Sequence, residues 1–148
     1  MEKIDPQVAS QVWQRVRGQE KSPQPVGVQT MVAWEKETEG ALLWLSQRLP
    51  EKGHALQQML ADTRRHIACL QGIRQLAGEK KGNYTATKPA AQDPAALLRW
   101  CYGQSLRVGG QYASLGEDNQ YGCVFSDMAR TKRRHCALIL ELLGTMQV

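Results

Sequence analysis

Lys132 and His135 stand one helical turn apart in the stretch TKRRHCALIL, residues 131–140. Steps of three and four through this region trace Tyr121, Phe125, Met128, Lys132, His135, Ile139 and Leu142, the stripe that a bundle helix buries. Everything on that stripe is apolar except the lysine and the histidine. The same walk from Leu56 gives Met59, Thr63, His66, Leu70 and Ile73, apolar except for one Thr–His pair. Between Trp34 and Trp44 it gives Glu37 and Ala41, and from Leu97 it gives Cys101, Gln104, Val108 and, one step on, Tyr112. Four stripes thus carry polar residues near their middles. At one level they would form a polar layer inside an apolar core. Such a layer is costly unless its members are paired, suitably protonated or bound to a metal.

The elements that must position these residues are helices. Ala, Leu, Gln, Arg, Glu and Lys dominate, β-branched residues are sparse and there is one Phe. A short helix is expected from Asp5, with Val8, Val12, Trp13 and Val16 on one face, followed by the polar connector GQEKSPQPVG. Four longer helices follow at about 28–49, 52–77, 94–115 and 119–143. The first two meet at Pro50, and the last two are also joined closely. The second and third are separated by GEKKGNYTATKPAAQDP. Two short connections and one long one predict an all-α four-helix bundle with a crossover between its second and third helices. Residues 1–27 would hold the short helix and its linker, and residues 28–148 the bundle. Gly109 and Gly110 interrupt the third helix and predict a kink or a close helix approach.

The chain also repeats itself. DTRRHIACL (62–70) matches TKRRHCALI (131–139), with His66 and His135 in register. Each lies on the second helix of a pair, which predicts a pseudo-twofold relation between the two halves.

Histidines on the second and fourth helices of a polar layer resemble the ferritin-like, and more narrowly the rubrerythrin-like, di-iron bundles. In that family the first and third helices each give a glutamate, and the second and fourth each give Glu-x-x-His. The resemblance covers about residues 28–143. EKETEGALLW resembles the first-helix segment with Glu37 as ligand, and RRHIACL and RRHCALI resemble the two histidine segments. It implies a ferritin-like fold with the di-iron site degenerate. Thr63 and Lys132 occupy the positions of the Glu-x-x-His glutamates, and Gln104 that of the third-helix glutamate.

Of the family's six ligands, the resemblance leaves Glu37, His66 and His135. Two metals need more carboxylate than this. Two histidines and one carboxylate are the composition of a mononuclear iron or manganese site, and a redox protein acting on peroxide or oxygen is one functional reading. In the other, Lys132 replaces the metal. Its ammonium pairs with Glu37, with Thr63, Gln104 and the histidines completing the hydrogen bonds, and the protein is a non-catalytic or binding member that needs no cofactor. A helical interaction protein with a basic face is the third.

The remaining features narrow these classes. A length of 148 residues suits one domain with a real core, and no apolar run approaches a membrane span. The beginning, MEKIDPQVAS, lacks the apolar core of a signal peptide, so a cytoplasmic location is expected. Cys69, Cys101, Cys123 and Cys136 form no CxxC and are expected to be small buried hydrophobes. Cys101 falls on a stripe, but no cysteine-nucleophile signature surrounds it. The net charge of +5 is spread along the chain without interleaved aromatics, which argues against nucleic acid and leaves an acidic protein or a homodimer as partners. His54 is expected on the surface.

Overall fold

The computed structural model describes residues 26–78, 93–118 and 120–146. It is an all-α four-helix bundle: α1 (Val28–Arg48), a 3-10 turn (Pro50–Lys52), α2 (Gly53–Leu76), α3 (Pro94–Asp118) and α4 (Gly122–Met146). Among the described residues no helix is long and apolar enough to cross a membrane. The short helix expected from Asp5 and the linker at 79–92 lie outside the described residues.

Local chemistry sets the helix ends. Pro50 follows the last turn of α1 and opens the 3-10 turn. Gly78, at φ +78°, closes α2 in the left-handed conformation that glycine adopts without strain. Asp93 caps α3 by accepting from the Ala96 amide at 3.2 Å, with Pro94 at the first helical position.

Every packed neighbour runs antiparallel. Arg64 of α2 reaches back to Glu39 of α1. Lys52, at the end of the 3-10 turn that leads into α2, and Asp62 of α2 bond Thr145 and His135 of α4. Val26 bonds Gln111, while Leu45 packs with Leu98 near the other end of α3. The chain therefore leaves α2 at one end of the bundle and enters α3 at the other, a topology compatible with a ferritin-like fold.

The α3–α4 pair is the most intimate contact, α1–α2 is next, and α2 and α4 touch lightly. Glycine makes a close approach of α3 and α4 possible. A Cβ on Gly109 would lie 3.0 Å from the Cβ of Lys132, so the missing side chain lets α3 sit directly on the lysine stem.

The interior is apolar at both ends and polar between them. One cluster gathers Leu42, Leu45, Leu56, Met59, Leu98 and Ile139, and the other Met31, Val32, Leu70, Val108, Tyr112 and Phe125. Between the two lie Glu35, Thr63, His66, Gln104, Lys132 and His135, all buried. The layer exists, and its first-helix carboxylate is Glu35. Glu37, expected there, is only half-buried.

Candidate functional site

The layer is organised around one carboxylate. Glu35 and Lys132 are both 0% exposed, and Lys132 Nζ donates to Glu35 Oε1 at 2.5 Å. Glu35 Oε2 accepts from the Tyr112 hydroxyl and from His66 Nδ1, each at 2.9 Å. A carboxylate can only accept, so the proton of the histidine bond sits on Nδ1. One residue from each of the four helices thus meets at a single side chain, which satisfies the requirement that a buried charge be paired and hydrogen-bonded.

Electrostatics follow from this geometry. Burial alone pushes the Glu35 carboxyl up, but the Lys132 charge and the bond from His66 outweigh it and hold the group at about 2. Burial and the adjacent Glu35 charge raise the Tyr112 phenol well above its ordinary value, so it stays a donor.

His135 takes a different partner from its repeat mate. Its Nε2 donates to Asp62 Oδ2 at 2.9 Å, and the imidazoles of His66 and His135 lie nearly parallel with centroids 6.5 Å apart. Burial and the nearby Lys132 charge hold His135 down at about 4 against the pull of Asp62, so the ring is neutral near pH 7. Burial raises the Asp62 carboxyl, but His135, Arg65 and Arg134 together leave it below its usual range.

The residues singled out in the sequence divide accordingly. His66 and Lys132 converge on Glu35, and His135 lies beside them on Asp62. Thr63 spends its hydroxyl on the Met59 carbonyl at 2.8 Å, one turn back in its own helix. Gln104 donates to the Trp34 carbonyl at 3.2 Å and accepts from Arg107, so it ties α3 to α1 without touching the carboxylate. Glu37 does not join the layer, and the set Glu37, His66 and His135 is not brought to one point.

Glu35 and Asp62 are the carboxylates that sequence reasoning missed. A signal for Glu35 was present. Met31, Val32, Glu35, Thr38, Leu42 and Leu45 also follow the three–four spacing and are all buried. The stripe through Trp34, Glu37 and Trp44 lies on the flank instead, where the Arg107 guanidinium stacks over Trp34 at 4.0 Å and Arg48 over Trp44 at 4.9 Å. Asp62 carried no comparable signal, because its partner is on another helix.

A metal ion needs several lone pairs aimed at one point. Here the Glu35 oxygens receive three donors, the Asp62 oxygens accept from His135 and Arg65, and an ammonium carries the positive charge. Among the described residues no group of three or more His, Cys, Asp or Glu side chains is placed to hold a metal ion. These residues do not fit a di-iron centre or a mononuclear one.

All four cysteines are free thiols. Cys101 and Cys136 are buried as expected, Cys69 is half-buried, and Cys123 is exposed near the start of α4, contrary to expectation. Burial pushes the Cys101 thiol up to about 12 despite Lys132 nearby, which removes it as a nucleophile. His54 is exposed, as expected. Comparison with protein-family models, with curated proteins and with solved structures finds no match to this chain.

Proposed function

We propose that this protein is a rubrerythrin-like member of the ferritin-like bundles in which Lys132 stands in for the metal, and that it acts as a non-catalytic binding or scaffold protein. One observation carries this reading: Lys132 Nζ lies 2.5 Å from Glu35 Oε1 with both side chains fully buried. A single ammonium supplies, without an ion, the positive charge that a carboxylate layer requires. The free thiols fit a reducing, cytoplasmic setting.

Less supports the alternatives. The redox reading needs carboxylate oxygens beside the imidazoles, and those of Glu35 and Asp62 already accept from Lys132, Tyr112, His66, His135 and Arg65. The basic-face reading draws on the repeated arginine pairs, and several of those arginines already have acidic partners in the chain: Arg64 with Glu39, Arg65 and Arg134 with Asp62.

Metal analysis tests the proposal. Protein purified from iron- and manganese-supplemented medium should carry far less than one metal per chain. About one per chain, lost on His66→Ala or His135→Ala, would overturn the reading. A gain-of-function arm adds to it. Thr63→Glu with Lys132→Glu rebuilds Glu-x-x-His on α2 and α4 beside Glu35. That double variant should acquire a melting temperature that rises with added Mn2+ or Fe2+, as binding to the folded state alone requires.

A further inference from the structure

We infer that the apolar hollow between α2 and α4 is the docking site for this chain's own residues 5–17. The hollow has a volume of about 480 Å3 and is lined by Cys69, Ile73, Leu76, Tyr121 and Val124, with Gly72 deepening its wall. It opens because α2 and α4 touch only lightly. Leu76 is 75% exposed and Val124 38%, so large apolar side chains face outward beside it. Such a face on a small bundle calls for a cover.

Three observations select the occupant. The first is position. Val26 and Val28, where the N-terminal segment joins the bundle, pack on the same apolar cluster as Cys69, Ile73 and Tyr121. The segment therefore arrives at the end of the molecule that holds the hollow. The second is pattern. Val8, Val12, Trp13 and Val16 recur at helical spacing, an apolar stripe with polar residues on either side. A helix laying such a stripe into an apolar groove is a recurrent mode of recognition. The third is reach. The residues between Arg17 and Val26 span up to about 30 Å when extended, more than the width of two packed helices. The linker at 79–92 also leaves from this end, but its sequence is polar apart from alanines and Tyr84 and offers no comparable stripe.

The half-buried thiol of Cys69 reports on the cover. Full-length protein is alkylated under native conditions and each cysteine is followed by mass spectrometry. Trp13→Glu, and separately deletion of residues 1–17, should accelerate modification of Cys69 at least tenfold, while the fully buried Cys101 stays unreactive. Unchanged Cys69 rates in folded variants would overturn the inference. Protection that disappears on dilution would also overturn it, by assigning the cover to a second copy. Should a variant unfold, exposing Cys101, the test moves to the otherwise unaltered chain with a photo-crosslinking residue at position 12. Crosslinks to residues 69–76 or 121–124 of the same chain are expected, and crosslinks only elsewhere, or none, would contradict the assignment.

Discussion

Replacing Lys132 with Met should cost about 3–5 kcal/mol of stability, the range for removing one partner of a buried ion pair. In a chain of this size that corresponds to a fall of roughly 10–15 °C in Tm. The loss arises on the other side of the pair. Glu35 is fully buried, and without the ammonium it must keep an uncompensated charge or take up a proton. Methionine fills the volume of the lysine stem, so packing beneath Gly109 is little disturbed. Adding Glu35→Leu removes the stranded charge and should recover part of the loss, since an apolar pair can replace a buried ion pair at little net cost. Calorimetry of the two variants checks both statements. A Tm for Lys132→Met within a degree or two of the parent would mean that the buried pair contributes nothing.

Acid should unfold the protein in two stages. His135 has an ordinary value of 6.5 and lies at about 4 in the fold. Between those pH values the unfolded chain binds a proton that the folded chain refuses, so stability falls as pH falls, by about 1.4 kcal/mol per unit. Glu35 works lower down. Its carboxyl moves from 4.5 to about 2, so its contribution is fully present above pH 4.5 and is lost as pH falls towards 2. Asp62, also held low, adds to the second stage. Urea midpoints measured from pH 8 to pH 3 should therefore decline below about pH 6.5 and continue to decline below 4.5. His135→Gln should flatten the upper stage and leave the lower one. A parent profile that is flat between pH 7 and pH 5 would contradict a buried, neutral His135.

Much of this arrangement was legible in the sequence. The four long helices, their short paired connections and the polar level are all present. The interior stripes of α2, α3 and α4 follow their periodicity closely, because alternation of three and four is strict there and broken only by the layer residues. The first helix was harder to read. Two stripes in it satisfy the same spacing, and the pair of tryptophans favoured the one with Glu37. Two residues of helix rotate a side chain by about 200°, so that choice places the wrong carboxylate inside. Burial of the indoles is achieved on the flank by arginine guanidiniums from α3 and from α1 itself, a cover that periodicity does not register. Asp62 was invisible for a related reason. It sits one turn before His66 on the helix edge, and only the meeting of α2 with α4 brings it to His135. The repeat is real in sequence, yet its two histidines serve different carboxylates. Glu35 takes His66, while the third helix offers only Gln104 and leaves His135 to Asp62.

Glu35→Gln and Glu37→Gln, melted side by side, separate the two faces of α1. Each change keeps side-chain volume and removes one charge. With Lys132 committed to Glu35, the first should lose about 3–5 kcal/mol and the second no more than about 0.5 kcal/mol. Equal, small losses, or a larger loss at Glu37, would show that no buried Glu35–Lys132 pair organises the interior.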